Sequence, residues 1–464
     1  MSPLTAVREY LDRNRERNVE DLCAFLRIPS ISAKSDHRDD VRRAAKWVED
    51  RFTSLGFPTE VVETKRHPII LAESPDVPGA PTILVYGHYD VQPTEPEAEW
   101  LSGPFEPTIR DGNVYARGAT DDKGQMLTHL LSTEAWMKSA GSLPVKLKFV
   151  IEGEEEVGSE SLYEFMKTSA ARLQADVAVI SDSSQFAPGH PAITYGLKGI
   201  AYFEVRLDGP KQDLHSGTFG GGVTNPANAL ARMLAALRDE RGRVCVPGFY
   251  DDVIPLGDRE RRQFAELPFQ EDRFLRQLGI SGVTGEEGYT TLERRWARPT
   301  CDINGLTSGY QGEGAKTVLP AWASAKFSFR LVPNQRPERV GAALRTMLEN
   351  LTPPGIRLTL TVHHGAPGVV VSLDNPFMSA AAKAIEQGFG KAPVYIREGG
   401  SIPIVTAFKE QLGIDTLLLG WGQDDDNTHS PNEKFSLADF HRGALTSAFL
   451  WSELSKVTPP RHTA

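Results

Sequence analysis

Four of the five residues from Glu152 to Glu156 are glutamates, and they follow VKLKFV, whose apolar and basic residues alternate as in a half-buried strand. Carboxylates this close repel, and a buried one without a partner costs several kcal/mol or takes up a proton. Either the run is a solvated loop or positive charge sits against it. Other segments favour the second reading. GHYDVQP supplies His88 and Asp90, which as residues i and i+2 of an extended segment face one side. NVYARGATDDKGQ brings Asp121 and Asp122, ISDSS brings Asp182, and DDDNTHSPNE brings His429. Imidazole and carboxylate without thiolate suit a hard to borderline divalent metal ion. With Asp121, Glu156 and Asp182 as ligands, two such ions leave a residual charge of about +1, which brings a bridging water towards ionisation at neutral pH. A glutamate beside the metal can then take and return the proton, so Glu155 and Glu156 divide into one base and one ligand.

Strands must deliver these groups. TEVVE, PIILA, PTILVYG, VKLKFVIE and ADVAVIS alternate with helical periodicity at 40–55, 124–139 and 160–173, after a further helical stretch at 4–28. That order predicts an α/β domain with a mixed, largely parallel sheet flanked by helices. The candidate residues follow the strands, where open α/β sheets bind their ligands. From 193 the pattern changes to consecutive strands, and AWASAKFSFRLV and IRLTLTVHH alternate cleanly, as in an α+β sandwich with one open face. The α/β style returns with a helix at 376–388, strands at APVYI and DTLLLG, and a closing helix at 437–455. The expected organisation is a discontinuous catalytic domain of residues 1–194 and 371–464, with an inserted domain at 195–370.

At 464 residues the chain exceeds the roughly 250–300 at which single cores stop growing, which supports two domains. A net charge of −10 without a Lys/Arg block argues against nucleic acid or an anionic membrane surface as a partner. Cys23, Cys245 and Cys301 are widely spaced and form no CxxC pair, so they read as apolar fillers in a reducing compartment. The first residues lack the apolar core of a signal peptide, no stretch approaches a membrane span, and a cytoplasmic protein is expected. GYQGEGAKT lacks the Gly-Lys-Ser/Thr of a phosphate loop, and REGGSIP has proline where a nucleophile elbow needs glycine. Asp122 and Glu154 read as supporting charges, Asp424 to Asp426 as a solvated loop, and His129, His363 and His364 as structural.

In chain order, YGHYDVQP, YARGATDDKG, EGEEEVGS, ISDSS, DLHSG, FSFRLVPN, REGGSIP and THSPNE resemble the motifs of the two-metal peptidases. That family includes carnosinase-type dipeptidases, aminoacylase and succinyl-diaminopimelate desuccinylase, and the resemblance is closest to the carnosinase branch. It implies that His88 and Asp182 hold one ion, Glu156 and His429 the other, and that Asp121 bridges them. Asp90 would orient His88, Glu155 would be the general base, and the Asp121–Asp122 peptide would be cis. His215, in the inserted domain, would reach across a homodimer to stabilise the oxyanion in the partner subunit's site. Arg330, Thr317, Gly399, Gly400 and Ser401 would hold the substrate's terminal carboxylate. The acidic motif departs from the carnosinase pattern at Glu154, which stands where that pattern has an uncharged residue. Gly158 and Ser159 nevertheless keep the register that assigns Glu155 and Glu156.

The implied activity is metal-dependent hydrolysis of small peptides with a free carboxylate, by a metal-bridging hydroxide with Glu155 as base. Two divalent ions per subunit are expected, Zn2+ first, with Mn2+ or Co2+ as alternatives, and the inserted domain would serve as lid and dimer contact. An N-acyl amino acid deacylase or desuccinylase is the alternative, and a metal-binding scaffold without turnover the third reading.

Overall fold

A computed structural model describes residues 2–400 and 402–458. The chain forms two compact units: Met1–Tyr195 with Val371–Ile396 and Ala407–Ala464, and Gly196–Val370 with Arg397–Thr406. The sequence reading placed 397–406 with the catalytic domain. The structure differs there because Arg397 pairs with Glu260 and the Lys198 amide bonds the Glu398 carbonyl at 3.2 Å, both within the second unit.

The sheet of the first unit runs Thr59–Val62, Ile69–Glu73, Lys146–Glu152, Thr82–His88, Val177–Ile180, Thr416–Gly420 and then the strand beginning at Ala192. Its centre is parallel: Thr82–His88 pairs in parallel with Lys146–Glu152 and Val177–Ile180, and Thr416–Gly420 with Val177–Ile180. The outer pairings are antiparallel. TILVYGH is buried from its second residue onward, the near-continuous apolar run of a strand covered on both faces. One covering element is the helix Lys123–Ala140, buried along its whole length to Trp136 and packed on the helices Pro3–Arg13 and Leu437–Leu454. It lies so close to the strand that a Cβ at Gly87 would stand 2.4 Å from Met126 Cγ, so only glycine fits beside His88. Among the described residues no helix is long and apolar enough to cross a membrane.

In the second unit, Thr300–Ser308, Trp322–Leu331, Gly199–Asp208 and Arg357–Ala366 form an antiparallel sheet in that order. Gly199–Asp208 alternates between buried and more open positions. Its inward residues Phe203, Val205 and Leu207 join Phe327, Phe329, Leu230 and Leu344 in a core beneath the helices Pro226–Ala235 and Pro337–Leu351. The other face carries His363, which lies 3.2 Å from Glu204, and His364, stacked on Tyr202. Cys23 and Cys301 are buried as expected, whereas Cys245 is exposed, and all three are free.

Candidate metal centre

The parallel strands of the first unit bring their carboxyl ends to one edge, and the chemistry-bearing residues gather there. His88 closes its strand, Asp182 follows Ile180 by two residues, and the loop after Thr416–Gly420 carries His429. Asp121 precedes the helix Lys123–Ala140, and the Asp121–Asp122 peptide is cis. His88, Asp121 and Asp182 place one ligand atom each within 4.8 Å of one another, and so do Asp121, Glu156 and His429. Asp121 belongs to both groups. Its Oδ1 is 3.2 Å from His88 Nε2 and its Oδ2 is 2.9 Å from His429 Nε2. His429 Nε2 also lies 3.5 Å from Glu156 Oε2, and His88 Nε2 4.0 Å from Asp182 Oδ2.

Asp90 is fully buried and serves two segments. Its Oδ1 is 3.4 Å from His88 Nδ1, and its carboxylate accepts the backbone N–H of Glu155 at 3.3 Å and of Glu156 at 3.1 Å. The Asp90 main-chain carbonyl also lies 3.1 Å from His88 Nδ1, so one residue sets both the imidazole and the glutamate turn. Gln92, which sequence reasoning missed, donates to Glu156 Oε2 at 2.7 Å. Its signal was its place in GHYDVQP, four residues past His88.

Two atoms of the candidate ligands lack hydrogen-bond partners. His88 Nε2 and Glu156 Oε1 are buried without a hydrogen bond among the described residues. One lies in each group of three, and such orphaned atoms are rare in proteins. Oxygen and imidazole donors around a shared carboxylate fit a pair of divalent cations. The electrostatics agree. Burial, then repulsion from Asp121, pushes the Glu156 carboxyl up to about 10 and Asp182 to about 6. Burial opposes charge on His88 as well, yet Asp121 and Asp90 hold its pKa well above the usual imidazole value. Without cations, Glu156 and His88 would thus hold protons at neutral pH. Loading a divalent ion should displace them, so uptake is expected to acidify a weakly buffered solution and apparent affinity to rise with pH. Titrations in two buffers of different ionisation enthalpy check this, and uptake without proton release would remove these side chains as ligands.

The rest of the glutamate run corrects the sequence reading. Cations do not hold all of it. Glu152 accepts the Tyr86 hydroxyl at 2.8 Å, and Glu154 accepts His67 N at 2.9 Å, Thr64 Oγ1 at 3.3 Å and Ser161 N at 3.3 Å. Both are buried; the protein's own donors hold Glu154, while Glu152 keeps only the Tyr86 bond and burial pushes it up to about 8, which leaves Glu155 and Glu156 as the glutamates of the run facing the candidate ligands. Asp426 is not solvated either: it is buried, accepts Thr120 Oγ1 at 2.9 Å and pairs with Lys434 at 2.9 Å, while Asp424 and Asp425 are exposed. Asp122 is buried and accepts the His88 N–H at 3.2 Å. His129 is packed between Ser181 Oγ and Ser447 Oγ, and burial pushes it down to about 3.

His215, Thr317, Arg330, Gly399 and Gly400 belong to the second unit, and Ser401 lies outside the described residues. A short ladder pairs His215 with Val318, beside Thr317, whose carbonyl accepts the Ser216 N–H at 3.1 Å. His215 Nδ1 accepts the Thr218 N–H at 3.2 Å, so the neutral ring carries its proton on Nε2. Arg330 is half-buried beside Lys198, and no carboxylate pairs with it among the described residues.

A carboxylate and imidazole centre at the carboxyl edge of a parallel sheet is that of a metal-dependent hydrolase. The chain belongs to peptidase family M20/M25/M40, whose model matches residues 84–452, and it is a hydrolase acting on peptide bonds. It is 33% identical to the Cys-Gly metallodipeptidase of Schizosaccharomyces pombe over 98% of this chain and 99% of that protein. Among solved structures it resembles the M20 family metallo-carboxypeptidase Sso-CP2 of Sulfolobus solfataricus, with TM-score 0.86 and 32% identity over 95% and 99% of the two chains. Human carnosine dipeptidase 1 gives TM-score 0.82 and 30% identity over 98% and 100%.

Proposed function

We propose that this protein hydrolyses dipeptides and similarly small peptides with a free terminal carboxylate, using two divalent cations, Zn2+ first among them. The observation that carries this reading is Asp121, shared between two groups of candidate ligands beside Glu155 and Glu156. His88 and Asp182 would hold one ion, Glu156 and His429 the other, with Asp121 common to both. Such a pair polarises the scissile carbonyl and lowers the pKa of attacking water. Glu155 takes the proton of that water on its carboxylate and returns it to the leaving amine. Asp90 keeps His88 and the glutamate turn in register. His215 offers its Nε2–H to the carbonyl oxygen as negative charge develops there. In this reading the second unit is the lid and pairs two chains, and His215 acts on substrate in the partner subunit's site. Free cysteines accord with a reducing, cytoplasmic setting.

Arg330, Thr317, Gly399, Gly400 and Ser401 would receive the substrate's carboxylate, Arg330 supplying the charge. Losing a hydrogen bond to a charged group costs about 1.5–3 kcal/mol, so Arg330→Ala should raise KM for a dipeptide by about 10- to 100-fold with a smaller change in kcat. The unaltered enzyme should also discriminate against the amidated dipeptide, and the variant should not. Equal discrimination by both would take Arg330 out of the carboxylate site. A panel of dipeptides and N-acyl amino acids, run with Zn2+, Mn2+ and Co2+, tests the function itself. Faster cleavage of acyl amino acids would favour a deacylase, and no turnover with any ion would leave a scaffold.

A further inference from the structure

We infer that Glu433 is a positioning residue that sets how tightly Asp121 and His429 together hold a cation. The inference rests on the reading of Asp121, Glu156 and His429 as ligands. The Glu433 carboxylate is fully buried and wholly engaged by the segment that ends in Asp121. Oε2 accepts from Arg117 Nη1 at 2.8 Å and Gly118 N at 2.9 Å. Oε1 accepts from Thr120 N at 3.0 Å and Asp121 N at 3.1 Å. Arg117 is buried too, and its Nη2 donates at 3.0 Å to the carbonyl of Pro93, just beyond the segment carrying His88 and Asp90. One side chain therefore joins the Asp121 loop, the segment after His88 and the loop of His429, four residues before it.

The two groups of ligands differ in what fixes them. His88 ends a strand bonded on both sides, and Asp182 lies two residues past another strand, so ladder bonds hold both in place. His429 belongs to a stretch outside any strand or helix, where Asn427, His429 and Asn432 adopt left-handed φ values of 57°, 60° and 62°. L-residues enter that region at a steric cost and stay only when their surroundings hold them. Asn432 ties the loop outward, to Leu101 N and the Glu99 carbonyl, each at 2.8 Å, and Asp426 reaches Thr120. Among the described residues only Glu433 reaches the Asp121 amide. Asp121 belongs to both groups, so loss of the Glu433 charge should loosen both cations, and most of all that of Asp121, Glu156 and His429, whose loop has no ladder bonds to hold it.

The test is a Zn2+ titration of metal-free protein against a competing chelator, resolved into two steps, with His429→Ala identifying the step that belongs to the second group. Glu433→Gln keeps the volume but turns an N–H donor towards donors. It should weaken that step by about 10- to 100-fold, the range seen for groups that orient metal ligands, and the other, which shares Asp121, by a clearly smaller factor. Both steps within about threefold of the unaltered protein, or an equal loss at both, would overturn the inference. If Glu433→Gln does not fold, Arg117→Lys, which removes the fork but keeps the charge, must show the same larger loss at the step of the second group. Fewer than two steps in the unaltered protein would instead overturn the reading of the two groups, and this inference with it.

Discussion

Replacing Glu155 with glutamine is expected to lower kcat by about 10²- to 10⁴-fold, the usual contribution of a general base, while both cations still bind. Glutamine matches glutamate in shape but cannot accept and return a proton. The contact that seats the residue survives, because Asp90 bonds the peptide N–H groups of Glu155 and Glu156 and not their side chains. The loss should therefore fall on kcat and leave KM and cation stoichiometry close to normal. The surroundings suit the role. Burial pushes the Glu155 carboxyl up to about 8, with Asp182, Asp121 and Asp90 adding to the shift and His88 opposing it. A carboxylate whose affinity for a proton has been raised towards the working pH can both take and release one. Bound cations would draw the value down again, and the base then operates from its ionised form. Measured kcat near normal with two ions bound would remove Glu155 from the reaction.

The parallel strands and their flanking helices could be read from the sequence because the apolar runs are long, regular and bounded by turn residues. TILVYGH and the candidate residues behind each strand already placed one edge of one sheet. What could not be read was the direction of each carboxylate within a run. Glu152, Glu154, Glu155 and Glu156 look alike as letters. The structure separates them by which donors come near: Tyr86 from a neighbouring strand, and peptide N–H groups at His67, distant in sequence, and at Ser161, in the first turn of the following helix. Asp426 was misread for the same reason, since Lys434 and Thr120 meet it only in the folded chain. In the second unit, the helices Asp258–Ala265 and Glu271–Leu278 lie inside a polar stretch, where the apolar positions Phe264, Phe274, Leu275 and Leu278 are few, although the last three recur at helical spacing. Thr290 and Glu293 close a capping box on the next helix, and its T-x-x-E spacing was a signal passed over.

Asp121→Asn is expected to cost both cations, not one, and peptidase activity with them. The aspartate stands between the two imidazoles, with Oδ1 towards His88 and Oδ2 towards His429, so its charge is counted in both groups of ligands. Asparagine keeps the volume and one oxygen but turns an N–H towards one cation. It also leaves each three-residue group one negative charge poorer. His88, Asp121 and Asp182 fall from two carboxylates to one, and so do Asp121, Glu156 and His429. Loss of a ligand should exceed the roughly 10- to 100-fold penalty typical of a group that only orients ligands, and here it should be felt at both binding steps. His429→Ala, by comparison, should weaken one step alone. Metal analysis of the purified variant, together with chelator competition, distinguishes the two patterns. The protein should stay folded, because the Asp121 amide N–H donates to the Glu433 carboxylate, and that N–H is retained. A variant that still carries two ions at unaltered affinity would show that Asp121 is not shared, and the two-cation centre would have to be abandoned.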